Sequence, residues 1–426
     1  MGTIYSSLAS REHYGPQDEA PTPSVQKGDA RRPVIQTQHP GRKLTPMSVL
    51  FKAVDWRGDF TQSSALASAA ALVLLSFICV TCTAAESEMI EMGSVEEGSS
   101  LIEELMELTS QSLCRLEIKE HFNIVKEIGR GKYGRVMLVT HLCKGTPMAL
   151  KVLPKASTKL QCFLREYCIS LLLSCHPCIV GLFGIAFQSN EHYGFAQELV
   201  VGRDLFAIIQ PRVGISECAV KRCAVQISSA LEFIHQRGLV HRDIKPENIL
   251  LLDNHCRQVK LADFGLTQRH GTFIRYISGT LPYMGPELCA MVMEEGQTEV
   301  KAPPLSVQPS LDTWAFAVLL FCILTGFFPW ERCLDGDDFY EEFADWRRAP
   351  KTTSVPSQWK RFTPMCMEMF KRMLALDASD RCSIGEVKSY VGEDWVRAKD
   401  INGWAGVNGE VGTRTPSPCR SSHSGE

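Results

Sequence analysis

Three glycines, Gly129, Gly131 and Gly134, stand between two apolar, β-branched runs, and no other feature constrains the fold as strongly. Phe122–Ile128 precedes them and Val136–Thr140 follows, so both flanks read as strands with the glycines at a hairpin tip. A dinucleotide-binding turn must instead open a helix, whose N-terminus holds the pyrophosphate. Without Cβ atoms such a tip can lay backbone N–H groups over phosphates, although an ordinary tight turn would also account for the glycines alone.

The residues that follow narrow the choice. After a turn at Lys144–Pro147, Met148–Leu153 reads as a third strand with one lysine, Lys151, among apolar neighbours. Lysines are seldom buried in strands unless paired, so Lys151 needs an anion. Leu160–Leu173 has apolar residues at 160, 163, 164, 167, 168, 171 and 172, the period of an amphipathic helix, and carries Glu166 as a partner for that lysine. Ser216–Gln236 reads as a helix with Ser216 at its cap and Gly238 just past its end. Ile249–Leu252 and Val259–Ala262 form a hairpin around Asp253-Asn254.

Before that hairpin stands His241-Arg242-Asp243-Ile244-Lys245-Pro246-Glu247-Asn248, and after it Asp263-Phe264-Gly265. In this order and spacing the motifs resemble those of the protein kinase superfamily. The resemblance implies an α+β, bilobal protein kinase fold: a small β-rich N-lobe with one key helix and a larger, mostly helical C-lobe. It also implies transfer of the γ-phosphate of ATP, with Mg2+, to serine or threonine hydroxyls of protein substrates.

Residue roles follow from the same resemblance. Gly129, Gly131 and Gly134, with Ile128, Arg130, Lys132 and Tyr133 around them, cover the ATP phosphates; Val136 lies on the adenine and Ala149 belongs to the same set. Lys151 holds the α- and β-phosphates while pairing with Glu166. Asp243 orients the acceptor hydroxyl and takes its proton, and Lys245 reaches the transferring phosphate. Asn248 and Asp263 hold the magnesium ions. Gln197 looks like the gatekeeper, the backbone of Glu198 and Val200 like the adenine-binding hinge, and Asp204 is positioned for the ribose or a basic substrate residue. Lys245 together with Thr280 in Gly279-Thr280 matches serine/threonine rather than tyrosine kinases. Thr267, Thr272, Tyr276, Ser278 and Thr280 are candidate phosphate acceptors on the activation segment, with Arg242 as the cationic reader and Thr280 the poorest acceptor.

Downstream, Gly285-Pro286-Glu287 resembles the A-P-E motif with Gly for Ala, and Glu287 is expected to pair with Arg381. Asp312 is expected to hold the catalytic-loop backbone, and the apolar run after it, too short to span a membrane, reads as a core helix. Phe163-Leu-Arg-Glu166, Phe195-Ala-Gln-Glu198, Asp204-Leu-Phe-Ala-Ile-Ile209 and Gln358-Trp359-Lys-Arg-Phe362 resemble the SH3-binding-domain kinases, a small group of serine/threonine kinases. Two features depart from that group. No P-x-x-P occurs anywhere, which argues against SH3 binding by the polyproline mode, and an extra stretch at about 291–310 has no assigned role.

Around the domain expected over 122–395 the chain changes character. Residues 1–60 read as a disordered arm, 61–85 as an apolar segment, 86–121 as an acidic linker, partly helical, and 396–426 as a disordered tail. Two features offer membrane association: the uncharged run Ala65–Ala85, long enough to span a bilayer, and Gly2 in an N-myristoylation pattern. The basic residues flanking the run would place the catalytic domain outside the cell, which conflicts with ATP chemistry and with many apparently unpaired cysteines. A cytoplasmic catalytic domain is therefore expected. A net charge of −3 gives no reason to expect nucleic-acid binding. A pseudokinase scaffold is the alternative, disfavoured because Lys151, Asp243 and Asp263 are all present; a membrane-tethered kinase is another.

Overall fold

The computed structural model describes residues 95–131, 134–275, 278–294 and 304–397. The expected arm, the Ala65–Ala85 run, Gly2, Lys132, Tyr133, Tyr276, part of the 291–310 stretch and all of the tail beyond residue 397 lie outside them. Among the described residues no helix is long and apolar enough to cross a membrane.

The N-terminal half is a six-stranded sheet in the order β1-β5-β6-β4-β3-β2. It comprises β1 (Cys114–Arg115), β2 (Phe122–Arg130), β3 (Arg135–His141), β4 (Pro147–Pro154), β5 (Leu182–Gln188) and β6 (His192–Gln197). Ahead of it lies α1 (Val95–Ser112), and the short α2 (Ile118–His121) leads into β2. Thus the described part of the stretch expected to be an acidic linker, 95–121, is a helix, a strand and a helical turn. One further helix, α3 (Leu160–Leu173), packs behind the sheet, where Phe163 stacks on Tyr193 with ring centroids 5.0 Å apart. All pairings are antiparallel except β1 with β5.

Helices dominate the C-terminal half: α4 (Glu217–His235), α5 (Pro286–Glu294), α6 (Ser310–Thr325), α7 (Asp338–Arg348) and α8 (Pro364–Met373). Between them run the short strands β7 (Leu239–Val240), β8 (Ile249–Leu251), β9 (Val259–Leu261), β10 (Gln268–Arg269), β11 (Phe273–Ile274) and β12 (Leu305–Ser306). From Leu311 to Thr325 every residue of α6 is buried, and apart from Asp312, Thr313 and Thr325 the stretch is apolar, so the helix serves as the core. Gly326 ends it in the left-handed region (φ 76°), where a Cβ would lie 2.2 Å from the carbonyl of Gln210. Trp359 and Phe362, part of the run that resembles the SH3-binding-domain kinases, are core residues: Trp359 lies 4.8 Å from the Phe321 ring and 5.0 Å from that of Phe343.

Candidate active site

Strand register carries Lys151 into the middle of the sheet, opposite Val136 on one side and Phe195 on the other. Its ammonium lies 2.5 Å from Glu166 of α3 and 2.8 Å from Asp263. Burial alone would lower the Lys151 pKa, but the two carboxylates reverse the sign and raise it, so the lysine stays charged. The same cation holds the Asp263 carboxyl down to about 2. Glu166 moves the other way: burial, with Asp263 nearby, raises it despite the pairing with Lys151. One lysine therefore joins the helix, the strand and the Asp263 loop.

The second cluster lies between α4 and the β8–β9 hairpin. Lys245 Nζ lies 2.7 Å from Asp243 Oδ2, and Asn248 Nδ2 donates to the same oxygen at 2.9 Å and to the Asp243 carbonyl at 2.8 Å. With Oδ2 anchored twice, Oδ1 is the atom left to accept a proton. Beneath it the fully buried Asp312 accepts from the amide of His241, from that of Arg242 and from the His235 ring, each at 2.8 Å. Burial pushes the Asp312 carboxyl up, yet these donors more than offset it and its pKa is lowered. They also hold Arg242 at φ 69°, a left-handed conformation unusual for a non-glycine residue; Asp263, at φ 64°, is similar.

Comparison with known proteins agrees with this geometry. The chain matches the protein kinase domain family over residues 122–396. This chain belongs to the protein kinase family. It is 50% identical over 296 residues to serine/threonine-protein kinase SBK1 of Danio rerio, covering 70% of this chain and 74% of that one. It is 43% identical over 307 residues to serine/threonine-protein kinase SBK2 of Homo sapiens, covering 72% and 86% respectively. Serine/threonine-protein kinase meng-po of Drosophila melanogaster is more distant, at 34% over 281 residues, with 66% of this chain and 60% of that one covered. The resemblance to the SH3-binding-domain kinases is thereby borne out, as is the bilobal α+β kinase fold.

Other parts of the kinase site are positioned by longer-range contacts. Ile128, Gly129 and Arg130 end β2, Gly129 pairs with Val136, and Ala149 sits opposite Gln197, the residue expected as gatekeeper. Gly134 serves packing: a Cβ there would lie 2.4 Å from the Val152 carbonyl, whereas one on Gly131 would meet nothing within 4 Å. In the segment expected as the hinge, the Glu198 amide donates to the Gly181 carbonyl at 2.8 Å. Its carboxylate accepts from the Gly181 amide and meets Lys260, each at 2.6 Å. Lys260 was not legible as a partner of Glu198, since nothing local in sequence links β9 to residue 198. One oxygen of Asp204 accepts from the Ala207 amide at 2.8 Å, so it caps a turn, and a ribose hydroxyl would have to use the other oxygen.

No group of three or more His, Cys, Asp or Glu side chains is arranged to hold a metal among the described residues. Magnesium does not need such a cage, because it takes one or two side-chain ligands and fills its octahedron with phosphate oxygens and water. Asn248 and Asp263 fit that demand. The Asn248 amide nitrogen is used by Asp243, which leaves its oxygen; Lys151 and Gly265 both use Oδ1 of Asp263, which leaves Oδ2.

Thr280 lines one crevice with Asp243, Ser278, Gly279 and Met284, but among the described residues no hydrogen bond joins it to Asp243 or Lys245. Thr267 needs correction as a candidate phosphate acceptor: it is 1% exposed, and its amide donates to the Phe264 carbonyl at 3.1 Å. The role left open for the 291–310 stretch is partly answered at its end. β12 pairs with β11 of the activation segment, and Val307 exchanges hydrogen bonds with Gly271 and Thr272, each 2.8 Å. Glu287 and Arg381 form the expected pair through two bonds of 2.6 and 2.7 Å. A Cβ on Gly285 would lie 2.7 Å from the Glu287 carboxylate, the end of the side chain that pairs with Arg381.

Proposed function

We propose that this kinase transfers the γ-phosphate of ATP, in the presence of magnesium, to serine and threonine hydroxyls of protein substrates. The observation that carries the reading is the double cluster: Lys151 bridging Glu166 and Asp263, and Asp243 held by Lys245 and Asn248. Magnesium would supply charge neutralisation at the phosphate oxygens. Lys151 would orient the α- and β-phosphates, and the hairpin glycines would cover them. Asp243 would turn the acceptor hydroxyl toward the phosphate and receive its proton on Oδ1, while Lys245 would offset charge on the transferring group. The preference for short aliphatic hydroxyls is supported by Lys245 and by Thr280 beside Asp243, and by the names of the similar kinases.

Asp243→Asn should lower phosphotransfer by about 10²–10⁴-fold while nucleotide still binds, and Lys151→Met should abolish turnover by misplacing the phosphates. Both should melt cooperatively. A peptide-library assay with phosphoamino-acid analysis checks the proposal. Wild-type turnover in either variant, or product that is mainly phosphotyrosine, would overturn it.

A further inference from the structure

Helix α3 is enclosed on more faces than its sequence calls for. Its apolar stripe, which includes Leu164, Cys168 and Leu171, is buried, and Ile169, Ser170 and Leu173, which lie off that stripe, are buried as well. Part of this cover is α1, which packs along α3. Ile102, Leu105 and Met106 of α1 are 6%, 3% and 9% exposed and share one apolar cluster with Leu164, Cys168 and Leu171. These positions fall at i, i+3 and i+4, and Thr109, one turn further, meets the Cys168 thiol at 3.6 Å. Glu103, Glu104 and Glu107 take the exposed face, so α1 has one dry side and α3 occupies it.

The extension is tied down at two further points. After α1, β1 pairs in parallel with β5, Leu116 donates to the Gln188 carbonyl at 3.0 Å, and its side chain enters the core of the sheet. On α1 itself, Glu103 lies 3.4 Å from Arg269 of β10, an exposed pair that adds direction more than energy. The chain before the family-matched region thus touches the helix bearing Glu166, the sheet bearing Lys151 and the segment following Asp263.

We infer that α1 is a built-in positioning element for catalysis, in which Ile102, Leu105 and Met106 hold α3 where Glu166 meets Lys151. None of the three touches the reacting groups; they act through α3. Helix α3 lacks a side-chain cap at its N-terminus, so its position depends on what packs against it. Removing the α1 cover raises the population of states with Glu166 withdrawn, and turnover falls by the fraction that remains competent. The inference rests on the proposed role of the Lys151–Glu166 pair.

The test uses the full chain. Leu105→Ala and the double variant L105A/M106A loosen α1, and Leu105→Met conserves its volume. Thr109→Cys introduces a thiol opposite Cys168. Oxidised glutathione can join the two: two thiols lose two protons and two electrons to form one disulfide, and glutathione disulfide is reduced to two glutathiones. Hydrogen exchange over 95–112 and 160–173, melting temperature, and kcat and KM for ATP with a serine peptide are measured. The double variant should lose α3 protection and about tenfold or more in kcat/KM for ATP, with β2–β4 still protected. Leu105→Met should stay within about twofold of wild type. In L105A/M106A/T109C, oxidation should restore turnover and dithiothreitol should remove it again.

Full turnover in a variant whose α1 exchanges freely overturns the inference. So does a mapped disulfide to Cys168 that restores α3 protection without restoring turnover. If the double variant does not fold, the Leu105→Ala single variant with and without the Thr109→Cys cross-link decides by the same criteria. Failure of the underlying site is distinguishable, because Lys151→Met would then retain activity.

Discussion

His176 illustrates how a side chain outside the site sets a condition on the fold. It follows α3, its Nδ1 accepts from the Cys178 amide at 3.2 Å, and its Nε2 meets the Ser229 hydroxyl at 3.3 Å. Burial lowers its pKa to about 4, and the facing cations Arg237, Lys260 and Lys388 act in the same direction. The folded protein therefore holds the ring neutral, while the unfolded chain takes a proton near pH 6.5. Stability is fully present above that pH and is lost as pH falls from about 6.5 toward 4, because the unfolded state then binds more protons. His176→Gln, which keeps hydrogen-bonding capacity without the charge, should remove about 1 kcal/mol of the stability loss between pH 7 and 5. Urea midpoints of both proteins at the two pH values check this; equal losses would show that His176 does not titrate into the unfolded state.

Among the elements, the activation segment is held by a strand that only arrives after α5. The bonds of Val307 to Gly271 and Thr272, and the contact of His270 with Gln308, clamp it against the chain leading into α6. Val307→Pro removes the amide donor and leaves the Thr272 carbonyl without its partner, a loss of about 1–3 kcal/mol where the group is buried. Val307→Ala removes packing but keeps the donor. The proline variant should therefore melt at lower temperature than the alanine variant and lose more kcat/KM for a peptide than for ATP. Hydrogen exchange over 268–275 that is equal in the two variants would refute the clamp.

For the whole molecule, the two halves meet through Lys151, Glu166 and Asp263 and through the Glu198–Lys260 contact. A ligand that binds across them should stabilise the folded state by mass action. A non-hydrolysable ATP analogue with magnesium at about 100-fold over its dissociation constant adds about 2.7 kcal/mol. That should appear as a rise of about 5 °C in melting temperature. Asp263→Asn should lose the part of the rise that depends on magnesium, and chelation should leave its melting temperature unchanged. An undiminished magnesium effect in that variant would refute Asp263 as a metal ligand.

Periodicity, glycine placement and motif spacing encode the β2–β3 hairpin, the Lys151 strand, the Glu166 helix and the loop around Asp243, each within a few residues. The pairings of Lys151 with Glu166 and of Glu287 with Arg381 were also legible, since a buried charge demands a partner and the kinase resemblance named one. Packing between distant segments makes Gly134 necessary for close approach to Val152, buries Thr267, and holds Glu198 with Lys260. It also buries Ile102, Leu105 and Met106 of the acidic stretch before the kinase domain against α3. These features rest on contacts between segments far apart along the chain. An apolar stripe at helical spacing shows that a face must be covered, but only packing selects the surface that covers it.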